Sequence, residues 1–241
     1  MKFLLKFKVT LAALLTLGFL LVGCATQEQL NRVGRLAMIK PEKIDQLKEL
    51  HRTSQPDVLK KMRQRNIQKY SIYLKDLGEA NAAVFNYFEY TGDKFDADVL
   101  HGGKDLIWTD MEEVFYFGGK TDAGVNESKV QRYGMVIGLR PEMVESYILL
   151  HKYIWPEVLN AIEKGNIRNY SIYLHKLKEK YYLFSYFEYI GDDFDADMAM
   201  IDNDPATIAW IKFTDKGCQL PIPTRDKGEW WANMEEIFHC N

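Results

Sequence analysis

Residues 141–174 read PEMVESYILLHKYIWPEVLNAIEKGNIRNYSIYL. Proline suits the first turn of a helix, where its missing N–H costs little, so this stretch predicts helices at Pro141–Lys152 and from Pro156 to about Lys164. Gly165-Asn166 is typical of a left-handed helix end. The β-branched and aromatic residues of Ile167–Leu174 then predict a strand, which gives the order helix, helix, strand.

The flanking sequence extends this order in both directions. A short apolar segment at Tyr133–Leu139 predicts a strand before the helices, and Tyr181–Tyr189 predicts the second half of a hairpin. Helical segments interrupted at Pro205 and a last strand at Met234–Cys240 follow. The sequence therefore predicts an α+β domain of ferredoxin-like order, βαββαβ, with helices on one face of a four-stranded antiparallel sheet.

The chain contains this pattern twice. Tyr70–Leu74 and Tyr170–Leu174 both read YSIYL, and WTDMEEVF at Trp108–Phe115 returns as WANMEEIF at Trp231–Phe238. Between these matches, Phe95-Asp96-Ala97-Asp98 returns as Phe194-Asp195-Ala196-Asp197. A repeat of this length indicates a tandem duplication.

The two copies differ in one segment. The second copy carries Met198–Glu229 between its Asp-Ala-Asp element and its last strand, whereas the first copy passes almost directly from Val99 to Ile107. We therefore predict a degenerate domain at 33–118 that lacks the second helix segment, a linker at 119–131 and a complete domain at 132–241. The first copy would then be a structural partner that cannot build the same pocket.

The amino terminus has a different composition. Lysines precede an apolar run from Val9 to Val22 that is short for a membrane span, and the run ends Leu21-Val22-Gly23-Cys24. This ending resembles the bacterial lipobox, which implies a signal peptide at 1–23, lipidation of Cys24 and a tether at 24–32. A plain signal anchor is the alternative. We expect an exported protein, lipid-anchored at the bacterial cell envelope, at the outer membrane.

Composition narrows the functional classes. The 241 residues are 47% hydrophobic and 27% charged with a net charge of −3, which is typical of a folded globular protein and offers no positive field for nucleic acid. The spacing of Cys218 and Cys240 matches no metal motif, and whether they form a disulfide stays open. We expect no metal and no cofactor.

Tyr147 and His151 are the first candidate site residues. Four residues apart on a helix, they project from one face at about 5–6 Å and could share a small polar ligand. The aspartates of 192–197 are more typical of helix N-capping than of a cation site, because they lack an ordered loop of oxygen ligands. Trp230-Trp231 precedes the final strand, and we expect it to be structural.

Several motifs of the second copy carry a resemblance to a known family. They are Tyr147-x-x-x-His151, Trp155-Pro156-Glu157, Arg168–Leu174, Phe184–Glu188, Asp195–Met198, Thr214-Asp215 and Cys218-Gln219. Together they cover nearly the whole copy, which resembles the L-rhamnose mutarotase family. Members of that family are small ferredoxin-like domains that pair into dimeric α+β barrels and interconvert the α and β anomers of L-rhamnose. The resemblance therefore implies that the two tandem copies face each other as the two halves of one barrel.

The resemblance implies a role for each matching residue. His151 matches the family's proton donor, and Tyr147, Tyr170 and Trp210 match its sugar-contacting positions. The family usually has a second tryptophan after the last of these, and here that position is Ile211. In the first copy Leu47 replaces Tyr147, although His51 and Tyr70 are kept.

Two functional classes follow. In the first, the protein is a mutarotase acting on L-rhamnose or a related deoxy sugar. Its partners would be a monosaccharide and, through lipidated Cys24, a membrane, with no nucleic acid, and a homo-oligomer is possible. In the second, Ile211 marks a site without turnover, and the protein is a carbohydrate-binding or assembly lipoprotein on the same fold. A monooxygenase of the α+β barrel kind shares the fold but has no matching motif here.

Overall fold

A computed structural model describes residues 30–53, 55–95, 106–120 and 124–241. The predicted signal peptide, Cys24 and most of the predicted tether lie outside these residues, as does the first copy's segment 96–105. None of the helices within the described ranges is long and apolar enough to cross a membrane.

Each copy begins with a strand, two helices and a hairpin. The first copy consists of β1 (Asn31–Ile39), a 3-10 turn (Pro41–Lys43), α1 (Ile44–Thr53), α2 (Gln55–Gln64), β2 (Ile67–Lys75), β3 (Ala82–Tyr90), β4 (Thr109–Asp110) and β5 (Glu112–Phe117). After a 3-10 turn at Glu127–Lys129, the second consists of β6 (Gln131–Leu139), a 3-10 turn (Pro141–Met143), α3 (Val144–Lys152), α4 (Pro156–Lys164), β7 (Ile167–Leu177), β8 (Lys180–Tyr189), α5 (Phe194–Asp202), α6 (Pro205–Cys218), β9 (Gln219–Leu220), β10 (Ala232–Asn233) and β11 (Glu235–Cys240).

Local signals explain where the helices of the second copy begin and end. α4 starts with proline, and the residue in the left-handed region after it is Asn166, with φ 57°, rather than Gly165. Asp193 caps α5 by accepting from the Ala196 N–H at 3.1 Å. Asp204 caps α6 in the same way ahead of Pro205. The predicted capping role of the aspartate run is therefore confirmed at Asp193.

The two sheets exchange their last strands. Their strand orders are β11-β2-β3-β1-β4 and β10-β6-β8-β7-β5, with β9 also on β6. The short strands β4 and β10 stay on the sheet of their own copy, and β5 and β11 then cross to the other sheet. The same backbone hydrogen bond occurs at both crossing points: Met111 N–H donates to Gly34 O, and Met234 N–H donates to Gly134 O, each at 2.9 Å. The fourth long strand of each sheet thus comes from the other copy.

Aromatic side chains fill the space between the sheets. Tyr87 and Tyr186, equivalent in the repeat, stack at 3.7 Å between ring centroids. The ring of Tyr173 lies against Gly34, where an added Cβ would come within 2.5 Å of it, and Tyr73 lies against Gly134 in the same way. Glycine is therefore required where each strand meets the other copy's tyrosine. The predicted α+β barrel of two tandem copies is confirmed.

A charged cluster lies inside the barrel among these aromatics. Lys69 Nζ lies 3.5 Å from Glu89 and 3.4 Å from Glu188, one carboxylate from each copy. The repeat equivalent of Lys69 is Asn169, which donates to the same two carboxylates at 2.9 and 3.1 Å. Arg168 Nε pairs with Glu188 at 2.8 Å, and both side chains are buried. The copies are thus joined by an asymmetric polar network.

The two cysteines of this region do not pair. Cys218 ends α6 in the second copy, whereas Cys240 lies on β11 in the sheet of the first copy, and both thiols are free and buried. The question of a Cys218–Cys240 disulfide, which the sequence left open, is thus answered by the fold: the two do not pair, because the strand exchange carries Cys240 onto the other sheet.

Candidate active site

The second copy contains a cavity of about 750 Å³ between its sheet and the helices α3 to α6. It lies on the face of the sheet that points away from the barrel interior. Pockets of roughly 300–1,000 Å³ are usual for small ligands. The five candidate site residues of the sequence, Tyr147, His151, Tyr170, Trp210 and Ile211, all line this one cavity.

Tyr147 and His151 lie on the buried face of α3. Their exposed fractions are 0% and 9%, and their rings stack at 4.0 Å between centroids. The Nδ1 of His151 lies 3.0 Å from the carbonyl oxygen of Tyr147. Since a carbonyl only accepts, Nδ1 carries the hydrogen, and in the neutral ring the lone pair is on Nε2. His151 is therefore held as a proton acceptor.

Burial sets the protonation of both residues. It lowers the pKa of His151 from its usual 6.5 to about 4, so the ring is neutral near pH 7. Burial also raises the pKa of Tyr147, with a smaller contribution from Tyr170, while the nearby Gln219 amide lowers it. The Tyr147 hydroxyl has no hydrogen-bond partner of normal geometry among the described residues. An unsatisfied buried hydroxyl of this kind is suited to a polar ligand.

The first copy supplies one wall of this site. Phe115 lies on β5, which pairs with β7 of the second copy, and its ring packs edge-on against His151 at 5.6 Å. It also packs edge-on against Tyr170 at 5.3 Å. Nothing in the sequence pattern assigned Phe115 to the site, because it belongs to the other copy. The available signal was the close repetition of its strand, WTDMEEVF against WANMEEIF.

Aromatic residues of α6 and the following loop form the opposite wall. Trp210 is buried and contacts His151 edge-on at 5.7 Å, and Ile211 beside it is half-buried. Trp230 and Trp231 line the cavity as well, and Trp230 Nε1 donates to Gln219 Oε1 at 2.7 Å. The expectation of a purely structural role for this tryptophan pair is therefore incomplete, because the loop before β10 folds back over the site.

Asp215 is a second ionisable group in the cavity that sequence reasoning did not assign to catalysis. It follows Trp210 on α6, and its Oδ1 accepts from the Thr214 hydroxyl at 3.0 Å. Burial raises its pKa to about 6, and the Thr214 bond opposes that shift. The sequence signal for it was the Thr214-Asp215 pair within the resemblance motifs.

No metal centre is formed by the part of the chain that the structure describes, where no three His, Cys, Asp or Glu side chains converge. Asp197 accepts from Asn166 at 2.8 Å and from the Tyr189 hydroxyl at 2.7 Å. Its role is thus to join α5 to the ends of β7 and β8. The residues of the cavity offer hydrogen bonds and proton transfer.

The equivalent position in the first copy has the same histidine contact but an apolar side chain at position 47. His51 Nδ1 lies 2.9 Å from Leu47 O, and the ring contacts Phe238 at 5.4 Å. Leu47, however, is buried in an apolar cluster with Ile72, Leu74 and Phe238. A leucine cannot bind a sugar hydroxyl, so the described residues of this copy offer His51 no polar neighbour of the Tyr147 kind.

Comparison with known proteins places both copies in one family. A sequence profile of the family described as L-rhamnose mutarotase matches residues 32–105 and 132–240. The L-rhamnose mutarotase of Lactiplantibacillus plantarum (strain ATCC BAA-793 / NCIMB 8826 / WCFS1) is 29% identical over 110 residues, which are 46% of this chain and 98% of that protein.

Solved structures of other proteins resemble the chain more loosely. A proposed monooxygenase from Fusobacterium nucleatum subsp. nucleatum is 12% identical, with a TM-score of 0.49 over 87% of this chain and 94% of that one. A proposed monooxygenase from Lactobacillus acidophilus NCFM is 8% identical, with a TM-score of 0.49 over 87% and 96%. Neither likeness bears on function.

Proposed function

The chain belongs to the L-rhamnose mutarotase family, and we propose that it interconverts the α and β anomers of L-rhamnose or a related deoxy sugar. One observation carries the proposal: Tyr147, His151 and Tyr170 converge on a single cavity of about 750 Å³ with a tryptophan wall. The first copy has Leu47 at the position equivalent to Tyr147, and it supplies Phe115 on strand β5, which pairs with the edge of the second copy's sheet.

Anomer exchange needs two proton transfers. A proton leaves the anomeric hydroxyl, another reaches the ring oxygen, the ring opens to the aldehyde, and the steps reverse after rotation. His151 supports the first transfer because its Nε2 lone pair is available and the ring is neutral near pH 7. Tyr147 and Tyr170 would hold hydroxyl groups, and the indole of Trp210 offers an apolar face to the C–H side of a sugar.

The choice of sugar depends on the wall formed by α6. Ile211 lines the cavity where relatives in the family usually have tryptophan. A branched aliphatic side chain packs on a methyl group but provides no flat face for stacking. We therefore expect weaker binding of the sugar ring than a tryptophan pair would give.

The test is anomer exchange on purified full-length protein in detergent. We expect saturation transfer between the two anomeric protons of L-rhamnose to rise above the spontaneous rate and to be lost in His151→Ala. His51→Ala is the matched control, because His51 makes the same backbone contact in the first copy and should leave exchange unchanged. If wild type and His151→Ala both exchange only at the spontaneous rate, the alternative of a sugar-binding or assembly lipoprotein replaces the enzyme proposal, whereas equal exchange above that rate contradicts only the role of His151.

We also propose that Cys24 is lipidated and holds the protein at the bacterial outer membrane. The lipobox-like ending of the apolar segment supports this, and several acyl chains bind a membrane far more firmly than one. Labelled palmitate should enter the wild type expressed in a bacterium and should not enter Cys24→Ser. Labelling of both proteins alike would contradict the proposal.

A further inference from the structure

Asp215 lies in the cavity but has no part in the reaction as described so far. We propose that Asp215 is the second proton-transfer group of this site, giving a proton to the ring oxygen of the sugar while His151 accepts the proton of the anomeric hydroxyl. This inference rests on the proposed function and adds to it a named acid.

His151 by itself does not complete the reaction in one step. Its Nδ1 hydrogen is held by the Tyr147 carbonyl, so Nε2 is the single ring position that can exchange a proton with substrate. Ring opening with one transfer alone would leave an uncompensated charge on the sugar inside a buried cavity, which is costly at low dielectric. A second group that donates while His151 accepts avoids this charge.

Position distinguishes Asp215 from the other acidic side chains of the cavity. Asp195, Asp202 and Glu229 also line it, but all three are exposed to solvent, whereas Asp215 is partly withdrawn. Its Oδ1 is held by Thr214, which orients the carboxyl group and leaves Oδ2 for a ligand. No lysine or arginine of the described chain forms an ion pair with it, so nothing holds it permanently charged.

The surroundings favour a protonated Asp215 at mildly acidic pH. Its pKa is raised to about 6 because burial outweighs the lowering by the Thr214 hydrogen bond, with smaller opposing contributions from Asp202 of α5, which raises it, and the adjacent Lys216, which lowers it. Three uncharged groups also feel the charge of Asp215: the phenols of Tyr147 on α3 and Tyr170 on β7, and the thiol of Cys218 on α6. A carboxyl group with such a pKa can both give and regain a proton near the working pH.

The tyrosines are poorer candidates for this acid. Burial raises the pKa of Tyr147 and of Tyr170 above the usual value for a phenol. A phenol with a raised pKa gives up its proton less readily than a carboxyl group with a pKa of about 6. The two hydroxyls remain suited to binding the sugar.

Both protons return to their starting groups over one turnover. His151 Nε2 takes the anomeric proton, C1 and O1 become a carbonyl, and the C1–O5 bond breaks with its electron pair going to O5. O5 takes the proton of Asp215, which leaves a histidinium and a carboxylate that attract each other. On ring closure the O5 hydroxyl attacks C1 and returns its proton to Asp215, and His151 returns its proton to O1.

The test is the pH profile of kcat/KM for anomer exchange. Wild type should decline below about pH 4, where His151 is protonated, and above about pH 6, where Asp215 loses its proton. Asp215→Asn should lower kcat by roughly 10²-fold or more and abolish the decline above pH 6. Thr214→Val keeps the carboxyl group but removes the bond that lowers its pKa, so the alkaline decline should move to higher pH.

Asp202→Asn is the matched control, since it removes an exposed carboxylate of the same cavity. It should keep the alkaline decline, shifted to slightly lower pH. An active wild type with an unchanged profile in Asp215→Asn overturns the role of Asp215 and leaves the proposed function standing. If Asp215→Asn fails to fold, an unmoved decline in Thr214→Val overturns it. A wild type that accelerates no anomer exchange overturns both.

Discussion

At the scale of single residues, the environment of His151 matters as much as its identity. The repeat equivalent His51 makes the same hydrogen bond to a backbone carbonyl. His151 differs because tyrosine, tryptophan and phenylalanine rings enclose it and the cavity opens beside it. The same residue type at equivalent positions therefore has a candidate catalytic role in one copy and a packing role in the other.

The lowered pKa of His151 predicts a pH-dependent loss of stability. The unfolded chain binds a proton at His151 below about pH 6.5, whereas the folded chain resists protonation until about pH 4. Stability should therefore be complete above pH 6.5 and fall between these values, by up to roughly 3 kcal/mol from this group. Urea unfolding of wild type and His151→Gln at pH 7, 5.5 and 4 measures it. The loss of stability should be smaller in His151→Gln than in wild type, and an equal loss would contradict the expectation.

Removal of the Tyr147 hydroxyl should weaken sugar binding without lowering stability. Because this hydroxyl is buried without a hydrogen-bond partner of normal geometry among the described residues, Tyr147→Phe should leave the melting temperature unchanged or raise it. The same change should weaken sugar binding by roughly 2- to 10-fold, since one hydroxyl contact is lost. Calorimetry and the KM of anomer exchange measure the two effects. Tyr189→Phe, which loses a bond to Asp197, should instead lower stability by about 1 kcal/mol.

At the scale of elements, the exchanged strands make each site a product of both copies. β5 brings Phe115 to His151, and β11 brings Phe238 to His51. The exchange also covers the free edges of β7 and β2, whose unpaired backbone groups would otherwise be open to another chain. The first copy therefore contributes to the candidate site although its own equivalent is filled with apolar side chains.

A matched pair of truncations tests this contribution. Phe115→Ala and Phe238→Ala remove equivalent buried rings, and each should cost about 3–5 kcal/mol of stability. Only Phe115→Ala should also lower kcat/KM for anomer exchange, because only Phe115 packs against His151 and Tyr170. The comparison is made well below both melting temperatures. Equal loss of activity in the two variants would show that Phe115 acts through stability alone.

At the scale of the whole molecule, unlike residues of the two copies build the network inside the barrel. One ammonium group, Lys69, lies between two buried carboxylates, and its counterpart in the second copy is the uncharged Asn169. Glu188 also pairs with Arg168 of its own copy at 2.8 Å. A pair of second copies would lose the Lys69 contact that joins the copies here, although each Glu188 would keep its Arg168.

A chain reduced to residues 132–241 tests this view. It loses β5 from the edge of β7 and leaves that edge open to a strand of a second molecule, without the Lys69 contact between the copies. We expect self-association, a lower melting temperature and reduced anomer exchange relative to the full chain. Light scattering, calorimetry and the NMR assay measure these. A stable, fully active monomer of residues 132–241 would contradict the structural role of the first copy.

Most secondary structure followed from local signals. Proline at 141, 156 and 205, the capping Asp193 and the left-handed Asn166 determine helix ends through contacts within a few residues. The pairing of Tyr147 with His151 on one face likewise follows from helical spacing. The proposed domain boundaries and the lipidation of Cys24 stay predictions.

By itself, the sequence determined the duplication, the order of elements and the helix that carries His151, because repeats, caps and periodicity are local. Only the tertiary structure decided which sheet each last strand joins. The segments WTDMEEVF and WANMEEIF could each pair with β2 or with β7, because both of these edge strands contain YSIYL. Which pairing forms depends on closure of the whole barrel. That choice places Phe115 beside His151, and the fold of α6 withdraws Asp215 from water, which sets its pKa. Burial and pairing across copies arise from the complete assembly of both halves, and no local pattern encodes them.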